Sequence, residues 1–413
     1  MISPTMTGAV TASPLVLPAP QIEWSNLVAI FVLFGGAALS VLLEALVPRR
    51  ARRSVQIALT ILVLIAALVA VIVPWSRGDH LLAGEGALAL DGPTCATWSM
   101  LMVFGLGTVL LFAERMGGAQ TSFVANASSV PGSALERESE EARREHTEVF
   151  PLLLFCLFGM MLFAASNDLI LMFVALEIFS LPLYLLTGMS RRRRLVSQEA
   201  SVKYFLLGAL SSAIFLYGIA LVYGAAGSFQ LGIIAQASMT QISGSKIFAA
   251  GMILLAVGLL FKVGAVPFHN WTPDVYTGAP SPVTAFMSIA TKMVALLGLM
   301  RVMYVAMGAM RWDWQLLLAV VAVASMAVGA IVGLSQTDMK RMLAYSSIAH
   351  AGFIMVGVVG AYTLQTGQRP DQTGSVSSVL IYLAGYGLAT IGFFMVIPVS
   401  YTHLRAHETV LDL

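Results

Sequence analysis

Long apolar stretches, separated by short polar or glycine- and proline-containing segments, dominate the chain. A helix needs about 20 residues to cross the roughly 30 Å hydrocarbon layer of a bilayer. About eleven windows of that length can be traced, and they cover residues 27–47, 55–74, 95–113, 149–166, 169–189, 201–224, 247–268, 282–306, 313–334, 341–362 and 377–397. This pattern predicts an all-α, polytopic bundle of membrane-spanning helices.

The composition excludes a soluble protein. Of the 413 residues, 58% are hydrophobic and 11% are charged, whereas soluble domains carry about 25% charged residues. The net charge of +2 gives no reason to expect nucleic acid as a partner. Cys95 and Cys156 are the two cysteines, too few for an iron–sulfur cluster or a thiolate metal site. The nucleotide-binding patterns GxxxxGK[ST] and GxGxxG after a strand are absent from the sequence, which disfavours an ATP-driven pump.

Basic residues fall at alternate ends of the predicted helices. One set of loops carries Arg49, Arg50, Arg52, Arg53, Arg115, Arg137, Arg143, Arg144, Arg191 to Arg194, Lys340 and Arg341, and the other carries Arg77, Lys246, Arg311 and Arg369. Cytoplasmic loops of membrane proteins are the ones enriched in lysine and arginine. We therefore expect the amino terminus outside, a flexible lead-in at 1–26, three transmembrane helices in 27–113, and a cytoplasmic loop at 114–148.

Charged residues also occur inside the apolar windows. Glu177, Lys203, Lys262 and Lys292 each lie in a predicted helix, where a cation at mid-bilayer costs about 2.5–3.5 kcal/mol on translocon scales. Such residues mark ion or proton pathways in membrane proteins. Pro182 and Pro267 follow Glu177 and Lys262 by five residues, and each is expected to loosen its helix beside the charge.

Other polar residues leave two interpretations open. Lys203 is either a relay residue or a lysine that extends its ammonium group to the cytoplasmic surface. His269 and His350 are either relay members or structural histidines. We expect Arg301 to extend towards the membrane surface from the end of its helix, and Asp274 to serve as a helix cap or turn residue.

Several motifs together resemble those of the antiporter-type subunits of respiratory complex I. They are LEIFSLPLY at 176–184, SVKY at 201–204, FKVGAVPFHNWTPDVY at 261–276, GAPSPV at 278–283 and KRMLAYSSIAHAG at 340–352. The SVKY motif and Lys292 in IATKM at 289–293 resemble the subunit N branch more closely than subunits L or M or the multi-subunit sodium/proton antiporters.

The resemblance implies a fold of about fourteen helices with two inverted five-helix repeats. Residues 149–306 would form the first repeat, helices 4–8, and 307–398 an incomplete second repeat, helices 9–11. It also implies a proton relay in which a glutamate on helix five pairs with a lysine on helix seven, which passes protons through a lysine on helix eight towards one on helix twelve. Glu177, Lys262 and Lys292 match the first three positions.

The resemblance further implies a subunit of a bacterial inner-membrane NADH:quinone oxidoreductase, assembled with other membrane and peripheral subunits. It implies no cofactor in this chain, with NADH, flavin, iron–sulfur clusters and quinone bound by other subunits. A subunit of a cation/proton antiporter or of a membrane-bound hydrogenase would share the relay, so both alternatives stay open. A purely structural scaffold is disfavoured, because it would not need charges of both signs at membrane depth.

The carboxyl-terminal segment 399–413 differs in character from the helix before it. Its sequence VSYTHLRAHET at 399–409 resembles a translated transposase-type sequencing adapter. We expect this tail to be non-native and the natural gene to continue beyond Pro398 into helix twelve and its lysine.

Overall fold

A computed structural model describes residues 22–77, 81–114, 121–123, 130, 133–141, 146–191, 194–240, 244–360 and 372–411, with the side chains of 374–396 in the last range. The α-helices are α1 Val28–Leu46, α2 Arg49–Ala70, α3 Ile72–Ser76, α4 Gly92–Ala113, α5 Ala134–Glu141, α6 Val149–Ala165, α7 Leu169–Thr187, α8 Arg194–Ala226, α9 Leu231–Thr240, α10 Lys246–Val263, α11 Trp271–Gly278, α12 Ser281–Arg301, α13 Arg311–Leu334, α14 Met339–Gly360 and α15 Gln372–Leu411. Strands β1 Leu81–Ala83 and β2 Leu88–Leu90 form an antiparallel hairpin.

The described helices confirm the predicted all-α membrane bundle. Ten of them are long and apolar enough to cross a bilayer, and α6 is a shorter apolar helix. Each of the eleven apolar windows coincides with one of these segments. Helices suit this environment because their backbone hydrogen bonds are made within the segment, and lipid offers no replacement for them.

Helix α12 is the centre of the bundle. All its residues from Pro282 to Arg301 are buried, and α4, α6, α7, α10, α11, α14 and α15 pack around it. Pro282 occupies the first turn, where its missing N–H leaves no helical hydrogen bond unmade. A polar side chain on α12 therefore faces protein and not lipid.

Small residues allow neighbouring helices to approach closely. A Cβ atom added at Gly329 of α13 would lie 2.5 Å from the Ala349 nitrogen, and one at Gly352 of α14 would lie 2.6 Å from the Ala322 carbonyl oxygen. Membrane helices without a hydrophobic driving force between them associate through such close packing. The α13–α14 pair depends on the absence of side chains at these two glycines.

The break after Lys262 begins earlier than the sequence predicts. Helix α10 ends at Val263 because Gly264 adopts φ +75°, and the Gly264 N–H bonds back to the carbonyls of Leu260 and Phe261 at 3.0 Å. Pro267 lies beyond this end, so it does not disrupt the helix beside Lys262 as expected. Pro182 lies inside α7, which stays helical through Thr187.

Arg301 does not extend to the membrane surface, so that expectation is wrong. Its Nη2 forms a 2.7 Å salt bridge with the Asp91 carboxylate, and its Nε donates to the Ala164 carbonyl at 2.8 Å. Asp91 also caps α4 by accepting from the Thr94 backbone N–H. Burial by itself would raise the pKa of Asp91, but Arg301 and Thr94 hold that pKa below its ordinary value. The pair joins the end of α12 to the start of α4.

Two predicted segments fall wholly or partly outside the described residues. The lead-in is described only from residue 22, and α5 supplies a short helix within the predicted loop at 114–148. The predicted non-native tail continues the helix of α15, but its side chains lie outside the described residues.

A methyl group at Gly352 should separate α13 from α14. Gly352→Ala places Cβ against the Ala322 carbonyl, and such overpacking costs about 1–3 kcal/mol. We expect a lower thermal unfolding midpoint for the purified chain in detergent. Gly224→Ala is the matched control, because nothing lies within 4 Å of its added Cβ on α8. An unchanged midpoint for Gly352→Ala would show that the helices are not held by this contact.

Removing one partner of the Arg301–Asp91 pair should destabilise the bundle more than removing both. Arg301→Met leaves the Asp91 carboxylate largely buried and unpaired, at a cost of about 3 kcal/mol, the low end for buried pairs. Adding Asp91→Asn should restore part of that loss in denaturant unfolding.

The same pair predicts an acid sensitivity. Because folding lowers the pKa of Asp91, its contribution to stability is present above the ordinary value of 3.8 and is lost as the pH falls through the folded-state value. Wild type should therefore lose more stability below about pH 4 than the double variant. Parallel acid profiles of the two proteins would contradict this role.

Candidate functional site

The buried lysine of α10 lies within a set of neutral polar and aromatic groups. The Lys262 side chain is 1% exposed, and its Nζ donates to Ser180 Oγ at 2.7 Å and to the Tyr184 hydroxyl at 3.5 Å. The rings of Phe179, Tyr184 and Tyr204 lie 5.5, 5.5 and 5.8 Å from the ammonium nitrogen. Cation–π contacts at these distances stabilise a desolvated ammonium group.

Glu177 lies near Lys262 without a direct salt bridge. The Glu177 carboxylate interacts electrostatically with both Lys262 and Tyr184. One of its oxygens is buried with no hydrogen-bond partner among the described residues. Ser180, one helical turn along α7, takes the hydrogen bond from Lys262 and itself donates to the Leu176 carbonyl. Glu177 thus acts on Lys262 through its charge, whereas the hydrogen bond of the ammonium goes to the Ser180 hydroxyl.

One of the aromatic rings around Lys262 packs against the segment after the helix break. Trp271, the first residue of α11, stacks on Tyr204 with ring centroids 4.8 Å apart and planes at 10°. Its indole N–H donates to the Phe261 carbonyl at 2.9 Å. Gly208 of α8 leaves room for the Tyr184 hydroxyl, since an added Cβ there would lie 2.1 Å from that oxygen. Helix α11 therefore contributes to the surroundings of Lys262 through the ring of Tyr204.

Lys292 occupies a second buried position on α12. Its side chain is 1% exposed, and its Nζ donates to the Ser347 backbone carbonyl of α14. The His350 imidazole, one turn along α14, interacts electrostatically with it. His350 Nδ1 is 2.7 Å from the Tyr382 hydroxyl of α15. Lys292, like Lys262, is therefore bonded to a neutral oxygen and not to a carboxylate.

Lys203 lies in a charged cluster at the end of the bundle, away from these buried lysines. Its Nζ forms salt bridges with Glu199 at 2.7 Å and with Asp274 at 3.0 Å, and the side chain is 44% exposed. The other Asp274 oxygen pairs with Arg341 at 3.1 Å. Asp274 is therefore not the cap or turn residue that the sequence suggests. It joins α11 to α8 and α14 through two cations.

His269 lies in the break between α10 and α11. Its carbonyl accepts from the Thr272 N–H at 2.9 Å, while its ring nitrogen Nδ1 is buried and makes no well-directed hydrogen bond with a described residue. The sequence-predicted residues thus fall into separate groups: Glu177 with Lys262, Lys292 with His350, His269 at the break, and Lys203 at the bundle end. Within the described part of the chain, no cluster of three or more His, Cys, Asp or Glu residues suits a metal ion.

Sequence reasoning missed the neutral partners of both lysines. Ser180 and Tyr184 follow Glu177 by three and seven residues, which places all three on one helix face, and this spacing was a usable signal. Tyr204 belongs to the SVKY motif, but it is uncharged, and the site residues were predicted mainly from charge. The Ser347 contact uses a backbone carbonyl, which no residue pattern reveals.

Comparison with known proteins assigns the chain to a family. The family model described as NADH:quinone oxidoreductase/Mrp antiporter, TM, matches residues 166–412. The chain is 67% identical over 379 residues to NADH-quinone oxidoreductase subunit N of Cutibacterium acnes, covering 92% of this chain and 70% of that protein. It is 50% identical over 388 residues to the subunit of the same name from a Nocardioides species, covering 92% and 72%.

Solved structures agree with this assignment. A chain of respiratory complex I from Thermus thermophilus with bound aureothin is 34% identical with a TM-score of 0.68, covering 90% of this chain and 70% of that one. A chain of the Mrp complex from a Dietzia species has a TM-score of 0.72 at 21% identity, covering 91% and 65%, and that likeness shows the fold alone. The resemblance inferred from the motifs is confirmed, and the chain belongs to the NADH-quinone oxidoreductase subunit N family of antiporter-type membrane proteins.

Proposed function

We propose that the chain is a proton-translocating membrane subunit of an NADH:quinone oxidoreductase, in which Glu177, Lys262 and Lys292 form the proton relay. The observation that carries this proposal is the Lys262 ammonium, 1% exposed inside a membrane-spanning helix and bonded to a serine hydroxyl. A structural cation at this depth would be expected to have a carboxylate partner. An ammonium whose hydrogen-bond partners are neutral hydroxyl groups keeps those partners when it loses its proton.

Glu177 acts as the switch in this scheme. A charged Glu177 stabilises the protonated Lys262 through their electrostatic interaction. When Glu177 is neutralised or moves away, Lys262 loses that stabilisation and releases its proton towards Lys292. Helices α10 and α12 pack against each other, so the two lysines belong to neighbouring elements.

The remaining predicted site residues take supporting positions. His350 lies beside Lys292 and extends the relay towards α15. His269 offers an imidazole at the break next to Lys262. Lys203 links α8 to α11 through Asp274 at the end of the bundle, which favours a role in positioning or proton entry over transfer in the interior.

The chain would work within a larger complex of membrane and peripheral subunits in the bacterial inner membrane. NADH oxidation, with its flavin and iron–sulfur clusters, and quinone reduction would take place on other subunits, and this chain would bind no cofactor. Residues 149–306 and 307–398 would correspond to the first repeat and part of the second. An antiporter or hydrogenase subunit would share this relay, but no contact in the described residues favours either one.

The contacts at the helix ends support an amino terminus outside. Lys340 bonds to the Ala279 carbonyl and Arg341 to Asp274, so these basic residues lie at the same bundle end as Lys203. Successive spans alternate in direction, which puts the arginines that follow α1 and those that precede α8 at that same end. Cytoplasmic enrichment of basic residues makes this end the cytoplasmic one.

Replacing Lys262 should stop proton pumping without preventing assembly. Lys262→Ala removes the proton carrier, and Lys262→Arg should fail as well, because arginine keeps its proton in proteins. Proton uptake by the assembled complex in proteoliposomes, driven by NADH and quinone, measures the effect. Lys246→Ala, at the exposed start of the same helix, is the matched control and should pump normally. Normal pumping by assembled Lys262→Ala complexes would remove the relay role.

Glu177→Gln tests the switch separately. The amide keeps the shape of the side chain and leaves the Lys262–Ser180 hydrogen bond in place, but it removes the charge. We expect assembled complexes with this substitution to pump protons more slowly than wild type. If the pair only holds the helices together, the substitution should instead lower the amount of assembled complex and leave its pumping rate unchanged.

Cysteine labelling measures the orientation. Cys95 and Cys156 are buried, so a membrane-impermeant maleimide should report only an added thiol. Ser25→Cys, before α1, should react in cells whose cell envelope is opened outside an intact inner membrane. Ser335→Cys, between α13 and α14, should react only after the inner membrane is permeabilised. The opposite pattern would invert the topology.

A further inference from the structure

A cavity of about 510 Å³ lies among α11, α12, α14 and α15. Its lining includes hydroxyl and imidazole groups from all four helices: Tyr276, Ser288, His350, Tyr382 and Tyr386. Apolar side chains of α15 complete the wall. A space of this size with several polar groups can hold water. The relay from Glu177 to Lys292 does not use this cavity.

Two buried hydroxyl groups beside the cavity lack a well-directed hydrogen bond. The Tyr276 hydroxyl and Ser347 Oγ are both buried, and neither forms a well-directed hydrogen bond with a described residue. They are nevertheless close enough to interact with each other, and Ser347 also interacts with Tyr386. A buried hydroxyl left unbonded costs about 1–3 kcal/mol, so such groups in native proteins usually bind water or serve a function.

Ser347 connects this pair to the second buried lysine. Its backbone carbonyl accepts the hydrogen bond from Lys292 Nζ, while its side chain faces Tyr276 and Tyr386. One residue of α14 thus contacts the Lys292 ammonium on one side and the hydroxyl groups near the cavity on the other.

Helix α11 brings Tyr276 into contact with the Lys292 site and Trp271 into contact with the Lys262 site. Trp271 stacks on Tyr204, whose ring faces the Lys262 ammonium. Tyr276, five residues later on the same short helix, is 1% exposed and faces Ser347. A displacement of α11 would therefore alter the surroundings of both lysines together.

We propose that Tyr276 is a further proton-relay residue, whose hydroxyl, together with that of Ser347, carries protons between Lys292 and the cavity. This proposal rests on the proposed function of Lys292. Lys292 bonds to the Ser347 backbone carbonyl and not to its hydroxyl, so a water molecule would bridge the ammonium and the hydroxyl pair. In each transfer Lys292 gives up one proton to that water, each hydroxyl accepts a proton on its oxygen while passing its own proton onward, and water in the cavity receives one. Every hydroxyl ends neutral, Lys292 ends as the amine, and nothing is oxidised or reduced.

A structural tyrosine would look different in this bundle. Tyr304 is such a case, because its hydroxyl donates to the Val358 carbonyl at 2.6 Å and is fixed there. A hydroxyl with a permanent acceptor cannot alternate between donating and accepting. The Tyr276 ring can pack equally well as phenylalanine, so the hydroxyl itself needs an explanation that packing does not supply.

The test compares tyrosine-to-phenylalanine variants in the assembled complex in proteoliposomes. Tyr276→Phe should lower the rate of NADH-driven proton uptake by about tenfold, less than the full effect of a positioned acid–base group because water can enter the space. Ser347→Ala, which keeps the backbone carbonyl that holds Lys292, should act in the same direction. Tyr304→Phe is the control and should pump like wild type despite losing a hydrogen bond.

Two measurements distinguish this proposal from the function on which it rests. The amount of assembled complex is measured for each variant, and the solvent deuterium isotope effect on proton uptake should increase in Tyr276→Phe as proton transfer becomes limiting. Wild-type pumping by Tyr276→Phe, with Lys292→Ala inactive, would overturn the role of Tyr276 alone. Wild-type pumping by Lys292→Ala as well would overturn the proposed relay. Equal losses in Tyr276→Phe and Tyr304→Phe, with no change in the isotope effect, would show a structural role.

Discussion

Keeping two ammonium groups away from lipid is the constraint on which this bundle depends. Lys262 and Lys292 lie in helices that are apolar enough to span a membrane, yet each is 1% exposed. Lipid offers a charged group no partner, so protein must surround each lysine on every side. This requirement explains why α12 is buried along its whole length and why α7, α8 and α10 bring aromatic and hydroxyl side chains together at Lys262.

The cations near the ends of the bundle and those in its interior have different kinds of partner. Near the two ends, Arg301 pairs with Asp91 and Asp274 holds both Lys203 and Arg341, so these cations have carboxylate partners and join helices. The interior lysines bond instead to a serine hydroxyl and a backbone carbonyl. A carboxylate partner fixes a charge in place, whereas a neutral acceptor tolerates either protonation state. In the proposed relay, the chemistry of the partners therefore distinguishes the cations that join helices from the lysines that would transfer protons.

The sequence predicts the parts of this structure that depend on local pattern. The apolar windows indicated where the membrane spans lie. The charged residues within those windows indicated that Glu177, Lys262 and Lys292 were candidate site residues. The sequence could not predict that Gly264 would end α10 before Pro267, because either residue can end a helix. Arg301 and Asp274 were misjudged for a different reason: their partners Asp91 and Arg341 are distant in sequence, and only the packing of α12 on α4 and of α11 on α14 brings them together.

The short helix α11 provides a physical basis for coupling between the two lysines. Two sites are energetically coupled when one structural element contacts both of them and can adopt more than one position. Trp271 and Tyr276 give α11 contacts at both lysine sites, and the Trp271 indole also joins the first end of α11 to the Phe261 carbonyl of α10. Asp274 ties the same helix to α8 and α14 by salt bridges that remain partly exposed, where each is worth about 1 kcal/mol or less. The buried contacts of Trp271 and Tyr276 hold α11 more firmly than these salt bridges do, and they make α11 the helix that links the surroundings of Lys262 to those of Lys292.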